Sequence, residues 1–244
     1  MPLDIGGSIV KDPLSKTFRY QNIVTRGLVL HLDAGTPDSY PTTGTVWSSL
    51  VGTSVGTLTN GPTYDSAAGS GSIVFDGTND YTTIPYSANW SFGTGEFAID
   101  MWLYLDGTQP ALYSGYVGTF TTKWTVAGWV IMNSPTAPQI RWYSIDGSSL
   151  ETSTSVTVSL NTWYHVVLTR VSNTIYLYTN STLQSSTDAT GKSVDNTSNP
   201  LLIGAGSADY GKIKMGSVKI YKGIGFTSAM VAQNYNVQKQ RFGY

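Results

Sequence analysis

The chain has 244 residues, 40% of them apolar and only 12% charged, with no cysteine and a net charge of −1. That apolar content supports a packed core and excludes a disordered chain, while the missing cysteines exclude disulfides, thiolate metal sites and cysteine nucleophiles together. No stretch approaches the roughly 18 apolar residues of a membrane span, and Met1–Gly7 has no basic start leading into an apolar run, so neither a spanning segment nor a secretory signal is expected.

Residues 1–26 mix proline, glycine and charge with weak periodicity and read as an extended arm outside the core. Strand signals begin at Gly27–Ala34, an apolar run ended by Gly35 and Pro37, and resume at Ser72–Asp76 and Asp80–Pro85. The stretch between the first two is rich in Gly, Thr, Ser and Pro and reads as loops with short strands. Glu96–Leu105 alternates most clearly. Phe97, Ile99, Met101, Leu103 and Leu105 share one parity and enter a core; Ala98, Asp100, Trp102 and Tyr104 share the other and face away from it. Further strands are expected at residues 115–120, 128–132, 139–145, 162–171, 174–179, 201–204 and 211–222, with Ser172-Asn173 as a tight hairpin turn. Near the end, Thr227 can cap a helix of about three turns, with Val231 and Tyr235 stacked on one face and Lys239 and Arg241 beyond it. Many short strands between regular turns give an all-β fold: a two-sheet antiparallel sandwich over residues 27–244, with an arm and one short C-terminal helix.

The small net charge conceals a pattern. Residues 1–26 carry Lys11, Lys16, Arg19 and Arg26 against two acids; residues 27–209 hold 13 acids against four cations; residues 210–244 hold six cations, Lys239 and Arg241 among them, and no acid. This is either an ordinary mixed surface or a basic docking surface, made by the two ends, for an acidic partner. Nucleic acid is not the expected partner, because no Arg-rich motif is present and the acidic body repels phosphate.

Gly27-Leu-Val-Leu-His-Leu-Asp-Ala-Gly35, Ile73-Val-Phe-Asp-Gly-Thr-Asn-Asp-Tyr81, Phe97-Ala-Ile-Asp-Met-Trp-Leu-Tyr104, Trp163-Tyr-His-Val-Val-Leu-Thr-Arg170 and Ile175-Tyr-Leu-Tyr178 follow one another in that order. This series resembles the laminin-G-like, concanavalin A-like lectin/glucanase superfamily over roughly residues 27–222. Residues 232–243 resemble the end of lectin-like domains in tailed-bacteriophage virion proteins. The resemblance implies a jelly-roll of two antiparallel sheets with a concave face that often meets sugars, and a place in a virion. It does not fix an activity, because this fold carries enzymes, lectins and inert modules alike.

Catalysis is not expected. Glucanases of the superfamily place two glutamates around an aspartate on one strand, and a retaining pair must stand about 5 Å apart. Here Glu96 and Glu151 are the only glutamates and lie on separate segments. Glu96 and Asp100 share a face but are roughly 13 Å apart along a strand. His31 and His165, the only histidines, read as structural; no nucleophile elbow, zinc set or phosphate loop accompanies them. Asp76-Gly-Thr-Asn-Asp80 clusters oxygens, and superfamily relatives often bind Ca²⁺, so Asp76 and Asp80 are the metal candidates. The same residues make a good turn, which is the favoured reading, and no cofactor is expected.

A sugar site would rest on aromatic rings beside polar groups. Asp100, Trp102 and Tyr104, with Tyr176 and Tyr178 on a strand of similar parity and Trp142 in addition, are the candidate surface. They serve equally well packed under loops or against another subunit. Two roles follow. One is a capsid decoration or cement protein, anchored to capsid or other virion proteins by its basic ends. The other is a tail or fibre adhesin binding host-surface carbohydrate. The absence of fibre repeats and coiled-coil heptads favours the first, and a homo-oligomer suits either.

Overall fold

The computed structural model of the chain describes residues 8–11, 18–110, 113–119, 127–134, 137–146, 149–196, 198–206 and 209–244. The strands are β1 (Ser8–Lys11), β2 (Phe18–Gln21), β3 (Leu28–Asp33), β4 (Val46–Ser48), β5 (Val55–Thr59), β6 (Thr63–Asp65), β7 (Ser72–Asp76), β8 (Tyr81–Ile84), β9 (Phe97–Leu105), β10 (Gly115–Gly118), β11 (Gly128–Ser134), β12 (Ala137–Asp146), β13 (Ser149–Thr157), β14 (Trp163–Val171), β15 (Thr174–Thr179), β16 (Thr182–Asp188), β17 (Leu201–Ile203), β18 (Ala205–Gly206), β19 (Asp209–Tyr210) and β20 (Lys212–Lys222). One α-helix follows, α1 (Ser228–Gln238), and a 3-10 turn, Lys239–Phe242.

Two sheets make the sandwich. The front sheet runs β13-β12-β11-β10-β17-β8-β5-β4, with β18 and β19 attached beside β10. The back sheet runs β16-β15-β14-β9-β20-β7-β6, with β3 paired to β20. Neighbours are antiparallel, apart from a single parallel contact between β10 and β19 at Gly115 and Tyr210. The expected jelly-roll sandwich with one C-terminal helix is therefore present.

The alternation of β9 has its predicted consequence. Phe97, Ile99, Met101, Leu103 and Leu105 are all buried between the sheets, against Trp129, Ile131, Ile140 and Trp142 of the front sheet. Phe97 stands 5.8 Å from Trp142, and Trp129 lies stacked 5.7 Å from Trp142. Each such side chain stabilises the fold by about 1.5–3 kcal/mol through burial alone. The Ser172-Asn173 hairpin also forms, with Val171 opposite Thr174 and Ser172 at φ +53°.

Besides the two-residue β18 and β19, two longer strands of the sandwich fall outside the expected ranges. β13 and β16 are rich in Thr and Ser and lack apolar alternation. They are end strands of opposite sheets and meet there: Thr154 Oγ1 donates to Ser185 Oγ at 2.6 Å, and Ser185 Oγ donates to the Ser155 carbonyl at 2.9 Å. Hydroxyl bonds thus join the two sheets on that side, beside Val156 of β13, which packs on the core.

A second apolar layer lies outside the back sheet. α1 is capped by Thr227, whose Oγ1 accepts from the Met230 N–H at 3.4 Å. Its Val231 packs with Ala98, Val167, Tyr178, Tyr221 and Phe226 on the sheet's outer surface. Val24 joins that layer, and its N–H donates to Asn234 Oδ1 at 2.8 Å. Val24, placed by the sequence reading in an arm outside the core, thus belongs to a buried layer. β1 and β2 pair with each other as a separate hairpin, outside both sheets.

Candidate functional site

The residues proposed as a sugar platform lead to a sealed polar centre. β14, β9 and β20 are adjacent, with Val167 opposite Asp100 and Lys219 opposite Asp100 on its other side. Asp100, His165, Lys219, Ser217 and Asn234 are all fully buried. Lys219 Nζ donates to Asp100 Oδ1 at 3.2 Å, Ser217 Oγ at 3.1 Å and Gln238 Oε1 at 2.9 Å, which uses its three protons. Asp100 Oδ2 accepts from Asn234 Nδ2 at 2.8 Å and stands 3.1 Å from His165 Nε2. Burial alone would raise the Asp100 pKa. The charges of Lys219 and His165 and the bonds from His165 and Asn234 outweigh it, and hold the carboxyl below the usual carboxylate range.

Trp102 completes the seal. Its ring stacks on Phe242 at 4.1 Å and on Tyr235 at 5.9 Å, and its N–H donates to Gln238 Oε1 at 3.2 Å. Gly216 makes this possible, because a Cβ there would lie 2.6 Å from the Phe242 ring. The expectation of an open face is therefore corrected. The parity reading correctly turned Asp100 and Trp102 away from the core, but α1 and the following turn cover them. Trp142 is corrected too, since it points inward between the sheets. Tyr178 is buried and the half-buried Tyr176 packs against the same layer. Tyr104 is partly open, with Trp163 at 5.5 Å and Lys214 Nζ 5.3 Å from its ring. No sugar platform results from the six together.

The basic candidates divide. Arg241 Nη1 donates to both carboxylate oxygens of Asp33, at 2.7 and 2.8 Å, while Nε and Nη2 donate to the carbonyls of Gly69 and Gly71. Its guanidinium therefore staples the tail to the end of β3 and is not available to an acidic partner, which corrects its assignment as a docking residue. Lys239 Nζ lies 5.5 Å from the Tyr235 ring, and Arg26 is exposed. The Lys11 and Arg19 side chains and the whole of Lys16 lie outside the described residues.

Asp76 and Asp80 serve their own turn. Asp76 Oδ1 accepts from the Thr78 N–H at 2.7 Å, and Asp80 Oδ2 accepts from the Asp76 N–H at 3.2 Å. Burial, then the neighbouring Asp76 charge, raises the Asp80 pKa against that bond. Glu96 is likewise structural: Oε1 accepts from the Ser172 N–H at 3.1 Å and Oε2 from the Gly225 N–H at 3.2 Å.

A cleft of about 450 Å³ opens elsewhere, at one end of the sandwich. The β4–β5 hairpin supplies Gly52, Thr53, Ser54 and Val55; the segment after β8 supplies Pro85, Tyr86, Ser87, Asn89 and Trp90; Val29 and Ile84 complete the wall. The short 3-10 turn Ala88–Trp90 fixes this second wall, capped by Ser87, whose Oγ accepts from the Asn89 N–H at 3.2 Å. Trp90 is buried, and its indole N–H has no partner among the described residues. The sequence reading missed these residues. Their signal was an aromatic residue after Pro85, just past the end of a strand, which carries no periodic pattern.

Comparison with known proteins agrees with this fold. Residues 76–224 match the concanavalin A-like lectin/glucanases superfamily, and the chain belongs to it. Among solved structures, the binding domain of Paraclostridial Mosquitocidal Protein 1 is similar with a TM-score of 0.66 and 16% identity, over 86% of this chain and 52% of that one. The Botulinum Neurotoxin serotype G binding domain gives 0.67 and 16%, over 86% and 51%. Trypanosoma rangeli sialidase gives 0.61 and 16%, over 91% of this chain and 34% of that one. The chain thus spans about half the length of the two toxin domains. A comparison with the curated proteins found no match.

Proposed function

We propose that this chain is a non-catalytic carbohydrate-binding module displayed on the virion of a tailed bacteriophage, where it recognises host-surface glycans. The observation that supports the non-catalytic reading is that four of its carboxylates are engaged within the sandwich. Asp100 is sealed beneath α1, Glu96 accepts two backbone N–H groups, and Asp33 and Asp65 are paired with Arg241 and Lys214. Glycoside hydrolysis needs two facing carboxyl groups open to substrate, and these four are committed to the fold.

Binding is supported by the lectin-like fold and by its similarity to the two toxin binding domains. The virion setting rests on the resemblance of residues 232–243 to phage lectin-like domains, and the separate β1–β2 hairpin suits attachment to virion proteins. Of the two virion roles, glycan recognition has the better support, because the internal use of Arg241 removes one of the cations that a capsid cement would call on. A glycan array followed by a hydrolysis assay on every ligand found tests the proposal. Binding without turnover is the expected result; turnover, or silence across the array, overturns it.

A further inference from the structure

The cleft between the β4–β5 hairpin and Tyr86 has a composition that points to one class of ligand. We infer that it is a binding site for the terminal one or two units of an uncharged saccharide. This rests on the carbohydrate-binding reading and adds the place and the class.

Three observations converge. First, exposed apolar side chains concentrate here. Of the six large exposed apolar residues among those described, Val55 and Tyr86 line the cleft, and Val46 and Leu50 lie on the same hairpin outside the lining. Val46 stands opposite Thr57 and Ser48 opposite Val55, so Val46 and Val55 share the hairpin's outer face, while Trp47 and Leu58 turn inward. A clustered apolar patch on an otherwise polar surface marks an interaction site.

Second, the lining pairs apolar planes with neutral polar groups. Tyr86, 44% exposed, and Val55, 40% exposed, offer surface to the C–H face of a sugar ring. Thr53, Ser54, Ser87 and Asn89 offer hydroxyl and amide groups for its hydroxyls. An amphipathic aromatic beside such groups suits a ligand that is itself apolar on one face and polar at its edge. The volume of about 450 Å³ falls in the range of roughly 300–1,000 Å³ typical of small-ligand sites.

Third, none of the described lining residues is charged. The nearby Lys222 ammonium is engaged with the Ala88 carbonyl at 2.5 Å. A sialic or uronic acid would bring a carboxylate with no cation on the lining to receive it, and desolvating an unpaired charge is costly. Neutral hexoses and N-acetylhexosamines fit without that cost.

The test uses the full chain on arrays of neutral and sialylated glycans, with affinities of the ligands found measured by titration. Tyr86→Ala and Asn89→Ala are the cleft variants, and Leu183→Ala, an exposed apolar residue on β16, is the control. The expected result is binding to neutral termini, weakened at least tenfold by Tyr86→Ala and severalfold by Asn89→Ala, with Leu183→Ala unchanged. Glycan binding that both cleft variants retain in full overturns the location and leaves the carbohydrate reading standing. Preference for sialylated termini overturns the ligand class. A wild-type chain that binds no glycan overturns the carbohydrate reading and this inference with it.

Discussion

The outer face of the back sheet and the cleft at the end of the sandwich are opposites in construction. The first is rich in charge and aromatic rings, yet the chain's own helix and tail consume them: Asp100, His165, Lys219 and Trp102 all find partners within the molecule. The second has no charge and few bonds, yet Tyr86 and Val55 remain open. A concentration of polar and aromatic side chains therefore marks internal docking in one place, and a modest, uncharged wall marks availability in the other.

The contrast can be broken most forcefully at Asp100. Asp100→Ala leaves the Lys219 ammonium buried without its carboxylate, and a loss of about 3–5 kcal/mol in denaturant unfolding is expected. Replacing Asp100 and Lys219 together by apolar residues of similar size should recover much of it, because the uncompensated charge is gone. Phe242→Ala should cost about 3 kcal/mol or more by the same measurement, since the ring is buried on Trp102.

Acid should sharpen the contrast. Burial, with Lys219 next, lowers the His31 pKa from 6.5 to about 4 in the folded chain. On acidification the unfolded chain takes up the proton first. The His31 contribution is thus complete above about pH 6.5 and falls as the pH drops toward 4, by up to about 3 kcal/mol. Melting temperatures recorded between pH 7.5 and 4 should decline, and His31→Gln should flatten that decline. Asp100, whose pKa is depressed, adds its own loss as the pH falls through the ordinary carboxylate range and below it. The smallest effect is expected at the cleft, where Tyr86→Ala should leave stability within about 0.5 kcal/mol while weakening glycan binding.

The fold was legible in the sequence wherever alternation was strong. Phe97 to Leu105 announced both a strand and its buried side, and Thr227 announced the helix start. β13 and β16 were not legible, because Thr and Ser satisfy a strand without marking a face. Trp142 was ambiguous: both parities of residues 139–145 carry bulky apolar side chains, so periodicity could not choose between them. The candidate site failed for a different reason. Parity tells which way Asp100 and Trp102 point, but their cover comes from Asn234 and Gln238, more than 130 positions away. The cleft was invisible for the same reason, since its two walls are joined only by the fold.

The Arg241–Asp33 pair joins residues 208 positions apart. β20, which carries Lys219 and stands between β9 and β7, lies close to the tail in sequence, so the polar centre and the cover over Trp102 are both completed by late segments of the chain. Apolar surface still open before then is prone to aggregate, and contacts this distant in sequence form slowly. Core and cover are therefore coupled: β20 supplies Ile213, Met215, Val218 and Ile220 to the inner core, and the segment that follows it closes the outer face, so a chain cut short before β20 would lack both.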